Sequence, residues 1–124
     1  MKKIIAILLS MIACNVNAEV ISVTGTSTPP QCKAGKPCDI YSHHEIQIIN
    51  ASLMPETYNY SYQLCIDGIC DNAENTITVQ PGKSWLNSRQ SHLAVRIPEG
   101  KFVYYVRTAC GKEKSVHDYT IKVK

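Results

Sequence analysis

Four histidines and six cysteines are the side chains of this 124-residue chain best suited to chemistry. His43-His44-Glu45 joins imidazole to carboxylate, both of which ligate zinc or copper. On an extended strand, however, His43 and Glu45 share one face while His44 points to the other, so the triplet cannot act as one three-ligand set. His92 or His117 would have to complete a metal site through the fold. Ser91-His92 and His117-Asp118 are likewise adjacent in sequence. In strands such neighbours diverge rather than meet as nucleophile and base. G-x-S-x-G, H-E-x-x-H and G-x-x-x-x-G-K-[ST] are all missing, and no carboxylates are spaced as an acid and base couple. The expectation is therefore a protein without catalytic residues, resident metal or cofactor.

The cysteines speak to compartment instead. Residues 1–18 read MKKIIAILLSMIACNVNA: a Lys-Lys start, an apolar run from Ile4 to Cys14, then a polar stretch ending at Ala18. This is the three-part pattern of a secretory signal peptide, with Glu19 as the expected mature start. The apolar run is too short for the roughly 20 residues that a helix needs to span a bilayer. A degraded lipobox, Met11-Ile12-Ala13-Cys14, offers the alternative of a lipoprotein acylated at Cys14. Export, to the periplasm or beyond the cell, is the common expectation of both readings.

Cys32, Cys38, Cys65, Cys70 and Cys110 remain beyond residue 18, a density that suggests a disulfide framework in an oxidising compartment. None is spaced as C-x-x-C. Between Cys65 and Cys70, Asp67-Gly68 is a strong two-residue hairpin signal. It would make Ile66 and Ile69 the closing pair and set Cys65 opposite Cys70 in the next, non-hydrogen-bonded pair, within disulfide reach. Cys32 and Cys38 would close the loop holding Gly35-Lys36-Pro37. Such short loops are worth about 2 to 2.5 kcal/mol each by chain entropy. Crossed links, Cys32 to Cys65 and Cys38 to Cys70, stay open. Cys110 is then odd. It is expected where a strand enters the Gly111-Lys112 turn, either buried at the end of the domain or joining two chains in a disulfide-linked homodimer.

The elements that must position these residues read as strands. His117, Tyr119, Ile121 and Val123 alternate with Asp118, Thr120, Lys122 and Lys124, and Ile77 with Val79, and Leu93 with Val95 and Ile97, repeat the period of two. Further strands are predicted near Val20 to Thr24, His44 to Ile49, Tyr58 to Ile66, Ser84 to Asn87 and Lys101 to Ala109. Pro29-Pro30, Met54-Pro55, Pro81-Gly82, Pro98-Glu99-Gly100 and Gly111-Lys112 punctuate them. Seven or eight strands at this spacing predict one all-β domain over 19–124, an antiparallel two-sheet sandwich with a Greek key; a small β-barrel is the second choice. In strand count and spacing alone the layout resembles immunoglobulin-like domains. The Cys-Trp-Cys arrangement of antibody domains is missing, and Tyr104 is expected as a core aromatic rather than a corner tyrosine.

Tyr58, Tyr60 and Tyr62 form a period-two ladder that Leu64 and Ile66 continue. Exposed, it would be a candidate binding face, since tyrosine joins contact area to a polar tip. The aliphatic continuation favours a core-facing row, with Tyr58 the most exposed. Charge narrows the partner: the formal +3 falls to about +1 once Lys2 and Lys3 are set aside, leaving 11 basic against 10 acidic residues. That balance argues against a nucleic-acid surface. The leading expectation is an exported, non-enzymatic module that binds another protein through a sheet edge or the loops at one end. The alternatives are a small secreted enzyme or histidine-based metal-binding protein, and a structural component of the envelope or of secretion.

Overall fold

A computed structural model describes residues 19–124 as seven antiparallel strands joined by turns. The expected signal segment and Cys14 lie outside the described residues. The strands are β1 (Glu19–Ser27), β2 (Pro37–Asn50), β3 (Glu56–Ile66), β4 (Ile69–Val79), β5 (Lys83–Arg96), β6 (Gly100–Cys110) and β7 (Glu113–Val123). One sheet has the order β1-β2-β5 and the other β4-β3-β6-β7, so the chain is a β-sandwich and not a closed barrel. The connections β2 to β3, β4 to β5 and β5 to β6 each pass between sheets, in immunoglobulin-like fashion, with the fourth strand on the sheet of the third. No described helix is long and apolar enough to cross a membrane.

The strand count is one below the upper expectation because Ser84 to Asn87 and the Leu93-Val95 alternation belong to one strand, with Ile97 just past its end. β5 pairs with β2 without a slip from Lys83 opposite Asn50 to Arg96 opposite Pro37. Asn87, Arg89 and Ser91 continue the inward row between Trp85 and Leu93, so the ladder is unbroken where the hydrophobic pattern breaks. β2 begins seven residues ahead of His44 for the same reason: Ser42 and His44 are polar but buried among Cys38, Ile40, Ile46 and Ile48. Pro37 opens the strand, where a missing N–H costs no ladder bond.

The hairpin between β3 and β4 has the residues its turn requires. Asp67 (φ 48°) and Gly68 (φ 77°) are both left-handed, the backbone of a type I′ turn, and Ile66 opposes Ile69. Cys65 opposes Cys70 with Cα atoms 4.1 Å apart and is bridged to it; Cys32 is bridged to Cys38 with Cα atoms 5.5 Å apart. The crossed links are thus not those of the structure. Both bridges are compatible with a location outside the cytoplasm.

A polar layer divides the core into two apolar clusters. Ile40, Leu64, Leu93, Val95, Tyr104, Val106 and Ile121 pack together toward the Cys32–Cys38 end. Ile46, Ile48, Tyr58, Tyr62, Val79 and Cys110 pack toward the other. Between them His44 is fully buried, with Nε2 2.9 Å from Ser42 Oγ and Nδ1 2.7 Å from Thr108 Oγ1. Ser91, also buried, stands opposite Ser42 in the register, and Gly25 stands opposite His44. Tyr104 is a fully buried core aromatic whose hydroxyl meets Ser27 Oγ at 3.0 Å, tying β1 to the second sheet. Asn50 is buried and gives its amide hydrogens to the carbonyls of Met54 and Val79 at 2.9 and 2.8 Å, which shapes the β2 to β3 connection.

Gly25 is the residue that lets β1 close over this layer. A Cβ there would stand 2.8 Å from Thr108 Oγ1 and 2.9 Å from Val106 Cγ1, distances at which the sheets must part. Gly25→Ala is expected to cost about 1 to 3 kcal/mol, the usual range for overpacking. Gly82→Ala, at a left-handed turn with nothing within 4 Å of the new methyl, is expected to cost about 1 kcal/mol from backbone conformation alone. Urea denaturation midpoints of the two variants check the order, and a Gly25→Ala protein as stable as the wild type would contradict the packing argument.

Candidate interaction site between strands β4 and β5

The tyrosine ladder does not form an exposed face. Its residues point between the sheets, and the register of β3 is held on both sides, by β4 and by β6. Tyr58, expected as the most exposed, is only 6% exposed and Tyr62 only 3%, because both pack with Ile46, Ile48 and Val79 and the Gly111 turn lies beside the Tyr58 ring. Burial raises the hydroxyl pKa of both, Tyr62 to about 12. Tyr58 Oη has no hydrogen-bond partner among the described residues. Tyr60 alone remains half-exposed, where β3 looks out between the edge strands β4 and β5.

At that opening several kinds of side chain converge. The Tyr60 ring lies 5.1 Å from the half-buried indole of Trp85 and 5.6 Å from Tyr62, centre to centre. The Tyr62 hydroxyl donates to Asn87 Oδ1. Arg89, on the inward row of β5, brings its guanidinium within 3.9 Å of Asp71 on β4. Tyr60, Tyr62, Asn87 and Arg89, together with Ala73, Glu74, Asn75 and Ser88, border a hollow of about 240 Å³. Aromatic area, amides and one cation of this kind suit recognition of a polar chain with modest apolar contact.

The backbone at this edge is as important as the side chains. Asp71 Oδ2 accepts the His92 N–H at 3.0 Å, which shows that His92 points its N–H away from β2. By the alternation of an unslipped antiparallel ladder, Ser84, Leu86, Ser88 and Gln90 point their N–H and C=O groups the same way. β5 ends its sheet, so among the described residues these groups have no backbone partner. The Asp71 contact closes the edge at one point and leaves it open on the Trp85 side. Periodicity could not have shown this, since it depends on which strand ends the sheet.

The other sequence candidates are dispersed. His43 lies on the outer face, 4.0 Å from Glu45, and His44 inside the core. His92 stacks on Tyr41 at 4.5 Å and meets Asp39 at 2.9 Å. His117 lies on β7 beside Tyr119. No group of three His, Cys, Asp or Glu side chains among the described residues could hold a metal ion. Ser91 Oγ is buried without a partner and His92 points away from it, as strand geometry requires. Cys110 takes the first of its two expected alternatives, burial at the end of the sandwich: it is fully buried with Ile46 and Ile48, and burial raises its pKa. The last residue of β6 is covered because β1 and β3 fold over the turn, where a Cβ on Gly111 would lie 3.9 Å from both Ile21 and Tyr58. A Cys110-linked homodimer has no support in this arrangement.

His44 gives the core a pH dependence. Burial, reinforced by the positive charges of Arg89 and His43, lowers its pKa to about 4 from the ordinary 6.5. The folded protein thus keeps His44 neutral where the unfolded chain would protonate it, and stability falls as pH drops from 6.5 toward 4. The full shift corresponds to about 3 kcal/mol. Denaturation of wild type and His44→Gln between pH 7 and pH 4 is expected to show the variant less stable at neutrality and less sensitive to acid. Parallel pH profiles for the two proteins would count against this role for His44.

No known family model matches the chain, and no curated protein matches it. Solved structures align with part of it. A Bacteroides uniformis β-glucuronidase aligns with a TM-score of 0.51 and 14% identity, over 77% of this chain and 12% of its own. A Listeria innocua β-glucosidase aligns at 0.48 and 15%, over 85% and 16%, and a Pseudomonas fluorescens alkylpurine DNA glycosylase at 0.49 and 11%, over 82% and 30%. The chain thus spans less than a third of the length of each. What it shares with the glucuronidase is the sandwich fold.

Proposed function

We propose that this is an exported, non-enzymatic module that binds another protein by receiving an extended segment of it along the free edge of β5. The observation that carries this reading is the unpaired backbone from Ser84 to Gln90 beside half-exposed Tyr60 and Trp85. Strand addition gains its affinity from main-chain hydrogen bonds and its selectivity from the side chains that flank them. Here the flanking groups are Trp85, Asn87 and Arg89 on the inner side and Leu86, Ser88 and Gln90 on the outer. Arg89 and Asp71 guard one end of the edge, which limits unselective sheet-to-sheet association. The two disulfides and the secretory pattern of residues 1–18 support action outside the cytoplasm.

Ser88→Pro removes one outward N–H from an edge strand, a change such strands tolerate, and Trp85→Ala removes the flanking indole. Each tagged protein would be exposed to envelope and secreted fractions of the producing cells. The wild type is expected to retain a specific protein, and Ser88→Pro to lose it at least ten-fold while keeping its far-ultraviolet circular dichroism. Equal retention by all three proteins, or no retained protein at all, would refute the edge as the binding site.

A further inference from the structure

The near-neutral sum of charges conceals a lysine cluster at the Cys32–Cys38 end. Lys101 and Lys122 stand directly opposite each other across the β6 to β7 ladder, an arrangement of like charges that destabilises a sheet. Lys124 follows Lys122 on the same face, about 6.6 Å farther along at strand rise. Lys33 is brought alongside by the chain that enters the first disulfide: Cys32 bridges Val123, and the Ala34 N–H donates to the Lys124 carbonyl at 2.8 Å. All four lysines are exposed. The three ion pairs among the described residues involve histidine or arginine, so none of these lysines has a carboxylate within 4.0 Å. Gln31, Cys32, Lys33, Lys122 and Lys124 enclose a hollow of about 490 Å³, within the size range of small-ligand sites.

We propose that Lys33, Lys101, Lys122 and Lys124 bind a phosphate group carrying two or more negative charges. Opposed, unpaired cations are unfavourable for the sheet by themselves and become favourable when an anion lies between them. The number of cations bears on the choice of anion. An ammonium group is a point charge without arginine's planar fork, so what four of them converging from two strands and a loop offer is concentrated positive charge, which suits a compact oxyanion with charge on several oxygens better than a single carboxylate. The disulfide holds Lys33 in place, so the site is formed before the ligand arrives. This site lies apart from the β5 edge and does not depend on the protein-binding reading.

The phosphate could be carried by a soluble compound or by a lipid headgroup, and two arms separate these sources. Inorganic pyrophosphate is titrated into the full described domain by calorimetry, and the same protein is floated with vesicles of equimolar phosphatidylcholine and phosphatidylglycerol. Wild type is compared with Lys101→Gln/Lys122→Gln at low and physiological salt. Saturable pyrophosphate binding, weakened roughly 30-fold in the double variant, supports the site with a soluble ligand; flotation lost to the same degree supports it with a headgroup. The double variant is also expected to unfold at higher urea, because the opposed charges are gone, so lost binding cannot be ascribed to misfolding. Absence of both kinds of binding at low salt, or binding that the double variant retains in full, overturns the proposal.

Discussion

A neutral imidazole buried between two sheets needs a donor for one ring nitrogen and an acceptor for the other, and His44 takes both from side chains it can reach in only one register. Ser42 lies two residues away on its own strand, while Thr108 comes from the opposite sheet. A shift of β6 by one residue would turn Thr108 outward and leave a ring nitrogen unpaired in the core, at a cost of a kcal/mol or more. The polar layer therefore sets how the sheets face one another. Gly25 completes it by letting the edge strand β1 come down onto Thr108 without a clash.

The same layer arranges what lies to either side. Toward one pole, Tyr104 and a majority of aliphatic residues fill the interior, both disulfides close, and the lysines collect outside. Toward the other, Tyr58 and Tyr62 share the interior with Ile46, Ile48 and Val79, and β4 and β5 part enough to leave Tyr60 and Trp85 in partial contact with solvent. Both candidate surfaces thus arise where regular sandwich packing stops, one at the end of the strands and one at the edge of the sheets.

Local chemistry was legible in the sequence wherever it was sufficient. Asp67-Gly68 specifies a turn by its backbone preference, and the turn in turn sets Cys65 opposite Cys70. The period-two alternation of Tyr119, Ile121 and Val123 marked β7. Long-range geometry was less legible. β2 and β5 read short because their inward rows contain Ser42, His44, Asn87, Arg89 and Ser91, polar residues that periodicity assigns to the outside. Tyr58 and Cys110 sit at strand ends, where exposure depends on loops that fold over them. The lysine cluster was hidden because net charge is a sum, and a sum does not record that Lys33 and Lys124, far apart in sequence, are neighbours through Cys32 and Val123.

The position of the two covalent links has a consequence for how the molecule breathes. Both lie at the pole where β2 and β4 begin and β3 ends, while Cys110 lies at the pole where β6 turns back. One pole carries both covalent links and the other only hydrogen bonds and packing, so spontaneous opening is biased toward the unlinked side. The single free thiol among the described residues therefore sits where the sandwich parts first. The chain carries its own clock: the rate at which an external reagent captures Cys110 counts partial openings of one pole, and it does so without waiting for the whole protein to unfold.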